Sequence, residues 1–188
     1  MAETFEQYQA RIFSYVEGKD PRRILRATTI ALAKRISGVS RQTLTTPPAK
    51  GKWSVAQILA HLSELEMLWG YRVRMILERD GVELVGMDQD VWARNSRYDR
   101  IDPRRALDTF RAIRQANLEL FGSLSPRALK RRGIHSQFGA LTISSIMSLM
   151  AGHDVNHFRQ IEAILGKSRT RARQARGRRR RGRGGALP

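Results

Sequence analysis

The chain has 188 residues, 41% of them hydrophobic, no cysteine, and a formal net charge of +18. That apolar content supports a packed core and excludes a wholly disordered chain. The missing thiols exclude disulfides and thiolate metal sites, so any metal must be held by nitrogen or oxygen.

Phe5, Tyr8, Ile12, Tyr15 and Val16 recur at helical spacing, with Gly18 as the stop. Asp20 before Pro21 is a cap followed by proline at the first helical position. The helix it opens carries Ile24, Leu25, Leu32 and Ile36 and stops at Gly38. Residues 40–52, rich in Thr, Pro and Lys, predict a loop.

Ser54 and Gln57 form a capping box, with Trp53 and Ile58 at the positions of a hydrophobic staple. The helix predicted there runs from Val55 to about Arg79 and ends at Asp80-Gly81. Residues 82–101 contain Trp92 and Tyr98 and are long for a loop, so a crossover along a bundle is expected rather than a tight hairpin. Asp102-Pro103 repeats the cap-plus-proline signature for a helix ending at Gly122. Ser125-Pro126 starts at most a short turn. Thr142 caps the last helix, with Leu141 and Ile146 as a second staple, and that helix is expected to stop at Gly166. Apolar–polar alternation is weak and confined to Val82–Val85, so no strand is expected.

These elements predict an all-α four-helix bundle with an extra N-terminal helix over residues 1–166. Residues 167–188 carry ten Lys or Arg and no acid, while the preceding 166 residues carry 25 basic and 17 acidic groups, a net of +8. More than half of the positive excess therefore sits in a low-complexity Arg/Gly tail, expected to be disordered. No apolar run reaches the ~18 residues of a membrane helix. Residues 1–10 lack a signal-peptide pattern, so a cytoplasmic location without a membrane partner is the default.

The four histidines are His61, His135, His153 and His157. On a helix, His153 and His157 lie about 40° apart on one face, where two imidazoles can share an ion. Ile146, Met150, His153, His157, Gln160 and Ile164 fall within a stripe of about 80°. Ser54, Ile58, His61, Leu65, Leu68 and Arg72 form a similar stripe on the earlier helix. Both sets face inward, where an unpaired imidazole nitrogen is costly. A shared metal ion accounts for three such rings, although hydrogen-bonded core histidines would show the same periodicity.

Gln160 and Glu64 are candidates to orient an imidazole or a bound water, although either also reads as a partly exposed polar residue, which is the simpler reading for Glu64. His135, between Gly133 and Gly139, reads as a surface-loop histidine and, less simply, as a fourth ligand or substrate contact. Arg72 is expected to pair with an acid, Asp88 or Asp90, as a structural pair or, less simply, as part of a substrate pocket that binds an anion. Trp53 and Trp69 read as packing residues, and Trp92 as the aromatic at a pocket mouth.

The segments Lys52-Trp53-Ser54 through His61-Leu62, Glu66, Tyr71-Arg72-Val73-Arg74, Asp88-Gln89-Asp90-Val91-Trp92, Gly139, and Gly152-His153-Asp154-Val155-Asn156-His157-Phe158-Arg159-Gln160-Ile161 resemble the DinB-like superfamily of metal-binding four-helix bundles. The resemblance spans about residues 5–165. It implies an up-down-down-up bundle with His61, His153 and His157 as metal ligands. It also implies chemistry of the kind run by transferases that use low-molecular-weight thiols and by related metal-dependent enzymes.

A three-histidine site leaves an open position, as catalytic zinc sites do. Zinc suits three nitrogens, and nickel or iron would also fit. The leading expectation is a divalent-metal-dependent enzyme, with a low-molecular-weight thiol as one candidate substrate; a homodimer is compatible with it. The alternative is a non-catalytic metal-binding or stress-response module. A third reading is weak, salt-sensitive nucleic-acid binding through the tail, which lacks interleaved aromatics to stack on bases.

Overall fold

A computed structural model of the chain describes the backbone of residues 3–183 and the side-chain surroundings of residues up to 167. Helix α1 (Phe5–Ser14) starts at a reciprocal capping box between Thr4 and Gln7. Helix α2 (Pro21–Ile36) follows Asp20, whose carboxylate accepts from the Arg22 N–H. Helix α4 (Val55–Glu78) begins at the predicted Ser54/Gln57 box, with both reciprocal bonds formed. Helix α6 (Pro103–Ser123) is capped by Asp102, which accepts from two backbone N–H groups. Each cap satisfies donors that a helix start leaves open.

Three shorter helices punctuate the connections. α3 (Arg41–Thr45) lies within the predicted loop, because Ser40 accepts from the Thr43 N–H and so supplies a cap. α5 (Gln89–Asn95) lies within the crossover and is capped by Asp88. α7 (Pro126–Leu129) is the short turn expected after Ser125.

Two apolar clusters reveal the direction of each long helix. One gathers Leu25 from early α2, Val73 and Ile76 from late α4, Phe121 from late α6, and residues Ile143 to Ala151 at the start of α8 (Ile143–Arg183). The other gathers Leu32 and Ile36 from late α2, Val55 to Leu62 from early α4, Ala106 to Phe110 from early α6, and Ile161 to Leu165 further along α8. So α2 and α8 run one way, and α4 and α6 the other. The order is up-down-down-up. The helices α2 and α8, α8 and α4, α4 and α6, and α6 and α2 are packed neighbours. Because α4 and α6 are parallel neighbours, the chain between them must travel the length of the bundle, which explains why residues 79–102 are long.

The expectation of no strands is corrected. β1 (Val82–Leu84), β2 (Arg132–His135) and β3 (Gly139–Thr142) form a small sheet in the order β1-β2-β3, the first pair parallel and the second antiparallel. Strands of three or four residues are too short to display a period of two. Gly139, at φ 67°, provides the left-handed residue that closes the β2–β3 hairpin. Asp80 accepts from the Arg132 N–H, tying the end of α4 to this sheet.

The predicted stop at Gly166 is also corrected: α8 continues through it to Arg183. A glycine inside a helix costs only about 1 kcal/mol, and the Arg, Ala and Gln residues that follow are good helix formers. Of the tail expected to be disordered, residues 167–183 continue α8, and residues 184–188 lie outside the described residues. Among the described residues no helix is long and apolar enough to cross a membrane.

Candidate metal centre

Between the two apolar clusters lies a polar layer. His61 sits two turns into α4, and His153 and His157 occupy successive turns of α8. The packing of α4 against α8 brings the three rings together. His153 Nε2 lies 3.1 Å from His61 Nε2 and 3.0 Å from His157 Nε2. One potential ligand atom from each residue falls within 4.8 Å of the other two.

His157 Nδ1 donates to Gln160 Oε1 at 2.8 Å, so in a neutral ring its Nε2 carries a bare lone pair. His153 Nε2 holds at most one proton and cannot donate fully to two nitrogens. Three imidazole nitrogens pointed at one spot are therefore poorly explained as a hydrogen-bond network. They suit a cation: zinc at about 2.0–2.1 Å from each nitrogen of a tetrahedral set requires N···N separations near 3.3 Å. His61 is less well supported than His157, because its buried Nδ1 has no partner among the described residues and the ring rests instead against Trp53, centroid to centroid 5.0 Å.

Burial keeps these rings neutral. It lowers His61 to about 3, with the neighbouring His157 adding to the effect, and lowers His157 to about 4 against the opposing Gln160 bond. His153 is pushed well below the ordinary histidine value by burial and by the two other rings. Neutral imidazole is the form that binds metal.

Beside the triad is a buried ion network that the sequence reading missed. Arg114 on α6 donates to Asp154 through both terminal nitrogens, at 2.7 and 3.1 Å, and to Glu66 at 2.7 Å. A further bond goes to the Leu25 carbonyl of α2, so one guanidinium joins all four long helices. Asn117 completes the Glu66 carboxylate at 2.8 Å. Burial alone would lower Arg114, but the two carboxylates hold it above its ordinary value. The available signal was a charged residue repeatedly placed on otherwise apolar helix faces.

The triad opens into a cavity of about 1030 Å³, lined also by Trp53, Trp69 and Arg72. Of the remaining sequence candidates, Gln160 bonds His157 as described. The Glu64 carboxylate accepts from the Tyr98 hydroxyl at 2.8 Å and, among the described residues, bonds no histidine. Arg72 pairs with neither Asp88 nor Asp90; its Nη2 donates to the Val85 carbonyl and its guanidinium lies 4.3 Å from the Trp69 ring centroid. Asp88 instead caps α5. His135 is no surface-loop residue. It ends β2, buried, and lines the cavity away from the three-ring cluster. Trp92 is absent from the cavity wall, whereas Trp53 and Trp69, read as packing residues, belong to it.

Residues 24–161 match the model of the DinB superfamily. A candidate metal-dependent hydrolase of Oceanobacillus iheyensis is 24% identical over 148 residues, covering 79% of this chain and 81% of the relative. A second such protein from the same organism is 18% identical over 137 residues, 73% of this chain and 79% of the relative. Among solved structures, YfiT from Bacillus subtilis, described as a probable metal-dependent hydrolase with an unusual four-helix bundle topology, superposes with a TM-score of 0.72 at 19% identity, covering 89% of this chain and 90% of YfiT. The mycothiol-dependent maleylpyruvate isomerase has a TM-score of 0.61 at 11% identity, over 75% of this chain and 59% of the isomerase.

Proposed function

The chain belongs to the DinB superfamily, and on that premise we propose that it is a divalent-metal-dependent enzyme whose ion is held by His61, His153 and His157. The observation that carries this reading is the convergence of three neutral imidazoles, two buried and one half-buried, His153 Nε2 lying 3.1 Å from His61 Nε2 and 3.0 Å from His157 Nε2. A divalent ion there supplies Lewis acidity and makes a nucleophile available near neutral pH. Zinc suits the donor set best, and nickel and iron also accept three nitrogens.

The chain's own residues have separable tasks. Gln160 accepts the Nδ1 proton of His157 and so turns the Nε2 lone pair toward the centre. Trp53 covers His61 and excludes water from one side. The cavity leaves the remaining side open to a small molecule. That opening favours an enzyme over a module with a purely structural ion, whose coordination would be closed. Water as the nucleophile gives a hydrolase, the activity named for the relatives. A low-molecular-weight thiol gives a transferase, a reading favoured by the likeness to a mycothiol-dependent enzyme.

Metal analysis of protein purified without a metal-affinity column tests the centre. About one divalent ion per chain is expected, lost in His157→Ala and removed by chelator with a fall in melting temperature. Metal-free protein whose stability ignores chelator would overturn the reading. Adding a small thiol to the cobalt-substituted protein separates the two chemistries: a charge-transfer band indicates a thiol ligand, and its absence favours water.

A further inference from the structure

Arg72 is 2% exposed, lines the same cavity as the triad, and has no carboxylate partner among the described residues. Of its donors only Nη2 is engaged, by a backbone carbonyl, and its buried Nε has no partner. A buried guanidinium is usually paired, because removing its charge from water is expensive. Asp88 and Asp90 line the same cavity without forming an ion pair with Arg72: Asp88 bonds the Asp90 and Val91 N–H groups at 2.9 and 3.0 Å, and Asp90 is exposed.

A second donor stands in the same wall. His135 Nδ1 accepts from the Gln137 and Phe138 N–H groups at 3.1 and 3.3 Å. The neutral ring therefore carries its proton on Nε2, which is uncommitted among the described residues. His135 and Arg72 both pack on Trp69, the former stacked at 5.8 Å between centroids. Burial and the charge of Arg72 lower His135 to about 4, so it stays neutral and does not compete for an anion as a second cation.

We propose, resting on the reading of the triad as the reaction centre, that Arg72 and His135 form a carboxylate-binding end of this cavity. The substrate is then an extended organic acid, long enough for its carboxylate to be held here while its reacting group reaches the three imidazoles. Arg72 is three turns beyond His61 on α4, roughly 16 Å along the axis, so one anion cannot occupy both ends. A guanidinium fork with a free Nε matches a planar carboxylate. One buried positive charge neutralises one negative charge; a phosphate dianion would leave an excess. Leu65, Phe138 and Leu149 supply apolar wall for the acid's carbon chain.

Calorimetric titration with butyrate tests this. The wild-type protein should bind butyrate saturably, and inorganic phosphate more weakly. Arg72→Gln should weaken butyrate by about tenfold or more while metal content stays unchanged. Arg72→Lys, which keeps the charge and loses the fork, should also bind more weakly, and it decides the matter if Arg72→Gln does not fold. His157→Ala should lose metal and keep butyrate binding, so the two readings fail separately. No saturable binding by the wild type, tighter binding of phosphate than of butyrate, unchanged affinity in either Arg72 variant, or loss of butyrate only in His157→Ala would each overturn the proposal.

Discussion

His61, His153 and His157 reach one point because α4 packs on α8, and the burial that keeps their rings neutral makes the metal-free protein acid-sensitive. The folded values are about 3 for His61 and about 4 for His157 and His135, against 6.5 for the unperturbed side chain. Below 6.5 the unfolded chain takes up protons that the folded chain refuses, so stability rises with pH across this range. The contribution is fully present above about 6.5 and is lost as pH falls through about 4 toward about 3. Denaturant titrations of chelated protein should show this decline, and His135→Gln should reduce its steepness. Loading the protein with zinc should move acid unfolding to lower pH, because bound metal opposes protonation of its ligands. An acid limb indifferent to both changes would contradict the assignment of neutral buried rings.

At the scale of elements, α1 makes its close approach to α8 one residue before His153. Gly152 precedes it, and a Cβ added there would collide with the Ile12 carbonyl of α1. Gly152→Ala should therefore push α1 away and cost about 1–3 kcal/mol, as overpacking of a filled interior does. Thermal melting reads this directly, and metal content should survive, since both α8 ligands stay on the same helix. Helix starts were legible in the sequence because capping is local: Asp20, Ser54 and Asp102 each announce their helix within three or four residues. The sheet was illegible for the opposite reason. Its parallel pairing joins Val82–Leu84 to residues Gly133 to His135, some fifty positions away, and nothing local encodes that partnership.

At the scale of the whole molecule, Arg114 holds the four long helices through Glu66, Asp154 and the Leu25 carbonyl. Burial raises Asp154 above its ordinary value, and Arg114 opposes that shift. Arg114→Ala would leave two buried carboxylates without their cation and should cost about 3–5 kcal/mol, seen as a large fall in the denaturation midpoint. Replacing Arg114, Glu66 and Asp154 together by apolar residues should recover much of this loss. If the single variant melts like the wild type, the network contributes little to holding the bundle.

Sequence alone determined the long helices, their caps, the inward histidine stripes and the nitrogen-only character of any metal site, because these follow from periodicity, local hydrogen bonding and composition. It also pointed to Gln160, one turn from His157 on the same face. Only the tertiary structure decided which polar groups meet. It sent Glu64 to Tyr98, left Arg72 without an acid, and drew His135 out of an expected loop into the cavity wall. A helix face can be computed from spacing, but which residue lies across from it depends on helix order, register and the short sheet. Those are properties of contacts between segments far apart in the chain, and no local pattern carries them.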